Sequence, residues 1–470
     1  MKFLKNAAFG AMALASAGSA YAQTTIHFAA SNGDRNATQT AIGKLLTDWK
    51  YTGLSGTISG SAGAITTSGG VASTYTGSNF GTWRGKYLGN NVVIRTNYAG
   101  ALAGIAAVAG GTLQKFDTST GSEADGTGAA SKILNPLDTP NFVTSTVDFG
   151  FSTNFQSTSP FLGPYKGTTY ATVREHNVGI SPLGFYASPG FPATNITTQQ
   201  AQLLYKTGVQ PLALFTGDWV NHKNITVWAI GRNTDAGQRY GAYAEVGLGT
   251  SQVVRAWQPT VSGAIAEATH GIIGIGPVGG TVDSHALWPA EEFSGIASEI
   301  GNGGFNSGAN LAAALTVTLS ANAYKGRYYN PDGGEDGTGA FENLYDNATA
   351  GYYIGYLTPG DANPRVLGVN SSGVDNQPTR PAGTRGVALK YNGVALTTDN
   401  VKNGQYTAWL YNRLLTPTSW PLVGSNTTQT FAYALRDQIK NVDAPAGGGI
   451  IDDATVKVRR LADGGLVIEK

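Results

Sequence analysis

Short alternating apolar runs, each handing over to a polar turn and then to apolar residues at helical spacing, recur along this chain. The first is Thr25-Ile26-His27-Phe28-Ala29, followed by Ser31-Asn32-Gly33-Asp34 and then Ile42, Leu45, Leu46 and Trp49. A period of two that gives way to a period of 3.6 predicts strand, loop, amphipathic helix. The grammar returns with the strand Asn91 to Thr96, the turn Asn97-Tyr98-Ala99-Gly100 and a small-residue helix from Leu102 to Val108. A third strand, Thr146 to Ser152, ends in the polar pair Thr153-Asn154, and Val178 to Ile180 reads as another. Asn195 or Thr197 caps a helix carrying Ala201, Leu203, Leu204 and Tyr205. The strand Val227 to Ile230 delivers the loop Gly231 to Arg239 to a helix beginning at Tyr240, and Asn306 to Asn310 precede a helix from Leu311 to Leu315. Tyr352 to Leu357 is the last strand of the series. Strands alternating with helices predict an α/β fold with mainly parallel sheets. Residues 54–81 and 109–140, rich in Gly, Ser and Thr, read as loops, hairpins or exposed insertions.

The N-terminus interrupts this grammar. Lys2 and Lys5 precede an Ala, Met and Leu run that ends in Ala20-Tyr21-Ala22, the pattern of a secretory signal peptide cleaved after Ala22. Nothing later offers the ~20 apolar residues of a spanning helix. A periplasmic or secreted protein is expected. Without cysteine, the chain has no lipid-anchoring Cys, no thiolate chemistry and no Cys-based zinc site.

Charge adds little. Removing residues 1–22 takes two lysines from the 31 Lys plus Arg and leaves 29 against 30 Asp plus Glu, so no nucleic-acid or membrane-surface field is implied. At 13% charged residues and 65 glycines, the chain has tight loops and few salt-bridged helices. His27, His176, His222, His270 and His285 show no metal-binding spacing, and no nucleophile stands in a recognisable catalytic setting. Glu291-Glu292 is the acidic doublet that reads as a candidate for acid chemistry, against the bland reading that adjacent acidic residues on a surface loop are simply solvated. No catalytic residue, metal or cofactor is expected, and an enzyme is the least supported class.

The repeated loops do suggest a chemistry. Backbone N–H groups at a helix N-terminus lack intrahelical partners and carry positive partial charge, so several ends aimed at one cleft form an anion site without net charge. The candidates are Ser31, Asn32 and Gly33, then Gly100 and Ala101, then Thr153 and Asn154, and Asp235 and Gly237; Arg35, Arg232 and Arg239 could add charge-assisted bonds. The bland alternative is ordinary capping, with each arginine paired to a carboxylate such as Asp235 or Glu245. Tryptophans such as Trp49, Trp219, Trp228 and Trp409 read as core or rim packing, or as the exposed rings of a carbohydrate-binding module.

Several segments resemble, in order and wording, the phosphate-binding periplasmic proteins of ABC transporters. Ala29 to Arg35 corresponds to that family's first loop, Asn97 to Ile105 to its second, and Val147-Asp148-Phe149-Gly150-Phe151-Ser152-Thr153 is similar to its V-D-F-G-x-S-D. Arg232 to Arg239 is similar to R-x-x-x-S-G-T-R, and Ile354-Gly355-Tyr356, Tyr391 to Val394 and Asp399 to Tyr406 follow in the family's order. The resemblance implies a two-lobed periplasmic-binding-protein fold, sheets flanked by helices, with two hinge crossings. It implies a first lobe of residues 23–96 plus 355–470 and a second of 97–354. The family's ligand-facing Asp falls on Thr153, and its Ser and Thr on Ala236 and Gln238. At roughly 1 to 3 kcal/mol for each charge-assisted bond lost, other groups must replace them for tight phosphate binding. The expected function is capture of phosphate or another small anionic solute for an ABC transporter permease. The alternative is a secreted structural or adhesive protein that keeps the fold without the ligand site.

Overall fold

The opening apolar run forms β1 (Thr24–Ala29), and α1 (Arg35–Leu45) follows after the polar turn. The computed structural model describes residues 23–53, 56–60, 79–118, 142–266, 276–290, 300–319, 326–329, 341–345 and 351–470. The leader expected at residues 1–22, most of the stretches 54–81 and 109–140, His270 and the Glu291-Glu292 doublet lie outside the described residues.

In chain order, the strands of the two main sheets continue with β2 (Thr47–Gly53), β3 (Gly56–Gly60), β4 (Phe80–Tyr87), β5 (Asn90–Asn97), β6 (Phe149–Ser152) and β7 (Val173–Pro182). Then come β8 (Gly184–Ala187), β9 (Asn195–Ile196), β10 (Val209–Pro211), β11 (Thr226–Ala229), β12 (Gly351–Leu357) and β13 (Val387–Tyr391), and finally β14 (Trp409–Pro417). Two main sheets result. The first has the order β7-β14-β6-β1-β5-β4-β2-β3, the second β9-β13-β8-β12-β11-β10.

These sheets are mixed α/β sheets rather than the mainly parallel ones expected. Pairing is parallel between β1 and β5, β1 and β6, β9 and β13, and β11 and β12. It is antiparallel between the other neighbours of both sheets, in the first sheet for two reasons. Strands β2 to β5 form an edge of hairpin-like antiparallel pairs, and β7 and β14 lead out of and back into the first sheet in opposite directions.

The chain passes between sheets at 182–184 and again between Tyr391 and Trp409, where Leu183 donates its N–H to Ala408 O at 2.9 Å. The two crossings therefore lie side by side. The boundaries expected at 96/97 and 354/355 differ from these: Asn97 closes β5, and Ile354-Gly355-Tyr356 sits within β12 in the middle of the second sheet. A crossing strand has the same apolar pattern as any buried strand, so only its partners reveal it.

Helices α2 (Ala101–Gly110), α3 (Thr198–Thr207), α4 (Gly237–Glu245), α5 (Gly308–Ala314) and α6 (Thr427–Gln438) flank the sheets. Thr197 caps α3 through a reciprocal capping box with Gln200. Trp49, expected to extend α1, is a strand residue: the helix stops at Leu46, whose backbone is extended, and Asp48 turns the chain at φ 49°. Its ring then packs edge-on to Trp83 at 4.9 Å.

The first core gathers Ile26, Phe28, Ile94, Phe149, Phe151 and Leu414, with Phe28 stacked on Phe149 at 5.0 Å. Each such buried side chain contributes roughly 1.5 to 3 kcal/mol. The second contains a triangle of fully enclosed tyrosines, Tyr205, Tyr243 and Tyr356, with ring centroids 5.1 to 5.5 Å apart. Their hydroxyls need partners, and one of those partners belongs to the candidate site.

Candidate functional site

The three strand–loop–helix units deliver the N-termini of α1, α2 and α4 to one cavity of about 30 Å³ between the sheets. It holds roughly two water molecules. Ser31, Asn32 and Gly33 line it from the first loop, Gly100 and Ala101 from the second, and Thr153 from the end of β6. Arg232, Asp235 and Gly237 close it from the loop after β11. Nine sequence-predicted residues therefore meet at one point. The cavity shares Asn32, Gly33, Arg232 and Gln238 with an open groove of about 2310 Å³ that runs between the two sheets.

Several polar groups here have definite partners. Ser31 Oγ donates to Asp34 Oδ2 at 2.5 Å, and Asn412 Nδ2 donates to Asp34 Oδ1 at 2.6 Å. Burial pushes the Asp34 carboxyl up to about 6, against the pull of these hydrogen bonds and of Arg413. Arg35 stands in the groove instead of the cavity, its guanidinium donating to Asn79 Oδ1 at 2.7 Å. Asn154 lies behind the cavity wall and donates to Gly237 O at 3.4 Å.

Arg232 is 3% exposed, yet its side chain is held by neutral oxygens. It donates to Phe305 O at 3.0 Å, to Gln238 Oε1 at 2.9 Å and to Asn306 O at 3.3 Å. Its backbone N–H donates to Tyr356 OH at 3.1 Å, so the tyrosine triangle fixes the residue that supplies the cavity's positive charge. Burial lowers its pKa, while Asp361 opposes that shift. Each terminal guanidinium nitrogen carries a second N–H beyond those bonds.

Arg239 is placed differently from the sequence expectation. It does not line the cavity; it donates to Asn302 O at 2.9 Å and Asn302 Oδ1 at 2.6 Å and packs over Tyr243. Arg232, in the loop, faces the cavity, whereas Arg239, in α4, anchors the segment that supplies Asn302, Phe305 and Asn306. Neither arginine takes Glu245 as its partner. That carboxylate pairs with Arg460 at 2.9 Å, with both side chains buried.

The walls are tight. A Cβ at Gly237 would stand 2.0 Å from Thr153 Oγ1 and 2.8 Å from Ala101 Cβ, so α4 begins in direct contact with the first sheet's loops. At α2 the N-cap is Gly100, which has no side-chain oxygen to satisfy the first turn. The acceptor comes from across the cleft: Ala103 N–H donates to Asp235 Oδ1 at 3.2 Å.

Sequence reasoning missed Ser181, Asn233, Asn306, Thr358 and Leu410, which also line the cavity. Ser181 and Leu410 come from the paired crossing strands β7 and β14. The Phe305 and Asn306 carbonyls leave no side-chain signal. Among the described residues Trp219 is the exposed tryptophan, so they contain no row of exposed tryptophan rings. No group of His, Cys, Asp or Glu among them could hold a metal ion, and no helix is long and apolar enough to cross a membrane.

No family model matches the chain, and no curated protein matches it. Among solved structures it is similar to an ABC-type phosphate transport receptor from Vibrio cholerae, at 12% identity and a TM-score of 0.36, over 76% of this chain and 87% of that one. It is similar as well to a putative phosphate ABC transporter substrate-binding protein with bound phosphate from Clostridium perfringens, at 10% identity and a TM-score of 0.35, over 91% of this chain and 99% of that one. A possible phosphate binding protein from Planctomyces limnophilus matches at 9% identity and a TM-score of 0.34, over 92% and 95% of the two chains.

Proposed function

We propose that this chain is a periplasmic or secreted solute-binding protein that takes a small anion, phosphate or another oxyanion, into the cavity between its two sheets, for delivery to an ABC transporter permease. The observation that carries this reading is the convergence of the loops that start α1, α2 and α4, with Arg232, on one small cavity. Helix ends supply fixed N–H donors and positive potential, and Arg232 supplies a full charge already oriented by Tyr356. Parting of the lobes would give an anion access to this small cavity of about 30 Å³. The adjacent crossings at 182–184 and near 408 are where such a hinge would bend.

The test is calorimetric titration of the protein from Gln23 onward with phosphate, sulfate and a small dicarboxylate. Saturable heat at micromolar affinity, about 8 kcal/mol of binding free energy, supports the reading. Absence of heat with all three rejects it and favours the second reading, a secreted structural or adhesive protein that keeps the fold. That alternative has its own observation: the cavity is small, and its wall packs Thr153 and Ala101 directly against Gly237.

A further inference from the structure

Asp235 was expected to contact ligand, but it already has a partner. We infer that Asp235 is a resident anion: its carboxylate occupies the N-terminus of α2 from across the cleft, latches the lobes together without ligand, and sets the affinity of the site, the last point resting on the anion-binding reading above.

Three observations combine. Helix α2 has a glycine N-cap and no acidic residue in its first turn, so its own sequence provides no side-chain cap. Ala103 N–H donates to Asp235 Oδ1 at 3.2 Å, and a Cβ at Gly100 would lie 2.1 Å from Oδ2 and 2.7 Å from Oδ1. Both oxygens are thus pressed onto the open face of Gly100, an approach that any side chain there would block. The third observation is topological. Helix α2 packs on β6 of the first sheet, whereas Asp235 follows β11 of the second, so this bond joins the lobes.

Charge explains why the arrangement holds. A carboxylate at a helix N-terminus is stabilised by the same donors and dipole that would receive an incoming anion. Arg232, three residues earlier on the same loop, directs its guanidinium to Phe305, Gln238 and Asn306, while Asp235 acts on it through space. An anion entering the cavity meets like charge at 100–103. It must eject Asp235, and ejection breaks the interlobe bond. Binding therefore exchanges an internal anion for an external one, and the free protein rests closed.

The experiment compares wild type, Asp235→Ala and Asp235→Asn. Small-angle scattering of each ligand-free protein reads the latch, and calorimetric titration with inorganic phosphate reads the competition. Asp235→Ala should give a larger radius of gyration and about tenfold tighter phosphate binding. Asp235→Asn, which keeps a carbonyl acceptor without the charge, should fall between, and it carries the test if the alanine variant fails to fold. Unchanged dimensions with unchanged affinity overturn the inference. Unchanged dimensions with weakened affinity do so too, by making Asp235 an ordinary ligand contact. If the variants open while no protein binds phosphate, the latch stands and the anion-capture reading falls.

Discussion

Replacing Asp34 by Asn should make the protein more stable, and only above acid pH. Asp34 is 1% exposed beneath the first loop of the site, accepting from Ser31 and Asn412, and burial pushes its carboxyl up to about 6 from an ordinary 3.8. A carboxyl raised by folding keeps its proton longer in the folded chain than in the unfolded one. Its contribution to stability is therefore full below 3.8, is lost as pH rises through about 6, and stays lost above. At about 1.4 kcal/mol per pH unit, the cost at neutral pH is about 3 kcal/mol. Asparagine has the same shape and no charge. The variant should match wild type near pH 4 and exceed it by up to about 3 kcal/mol at pH 7 to 8. His27 and His176 act in the opposite sense: burial first, then neighbouring arginines, hold both down to about 4, so their contribution is full above 6.5 and is lost as pH falls through 4. Subtracting wild type from variant cancels the histidines. Urea unfolding of both proteins across this pH range, with equal m-values, provides the difference. A difference that is flat with pH, or largest in acid, would refute the reasoning.

Three further outcomes are expected. Glu245→Gln leaves Arg460 charged, buried and stacked on Trp409 at 4.4 Å without its carboxylate, and should cost about 3 to 5 kcal/mol by thermal or urea unfolding; a loss well below about 1 kcal/mol would show the pair to be solvated. Arg239→Lys should lose about 1 to 3 kcal/mol of stability through Asn302 with phosphate affinity unchanged, while Arg232→Gln should weaken phosphate binding at least tenfold; equal effects on affinity would undo the separate roles given to them. Gly237→Ala should cost about 1 to 3 kcal/mol, because its Cβ meets Thr153 Oγ1 at 2.0 Å and Asn154 Oδ1 at 2.6 Å, and adding Thr153→Ala should restore part of it; no restoration in unfolding experiments would mean that α4 shifts to relieve the contact.

The strand–loop–helix units were legible because their patterns are local. A period-two run at 25–29 or 91–96 must bury one face, and the turns that follow carry residues that start helices. The same locality misled at Trp49, which continues the spacing of Ile42 and Leu45 while belonging to a strand. Nine of the site residues came together because each sits where a strand ends or in the loop that leads to a helix. Arg239 did not join them: a motif gives its spacing from Arg232, but the direction of a side chain is settled by tertiary partners, here the Asn302 amide and carbonyl. Backbone carbonyls such as Phe305 O, and the pairing that sends β7 and β14 across, have no local signature. The antiparallel character of the sheets escaped the sequence for the same reason.

The order of strands in the first sheet bears on how this chain reaches its final shape. Strand β6 at 149–152 pairs on one side with β1 and on the other with β14 at 409–417. A polypeptide that emerges residue by residue from its N-terminus thus completes β6 on one edge early, and leaves the opposite edge unpaired until more than half of the sequence has followed. During that interval the exposed ladder, flanked by Phe149 and Phe151, is a place where another copy could pair. The protein therefore depends on whatever holds unfinished chains apart until β14 arrives and seals the sheet.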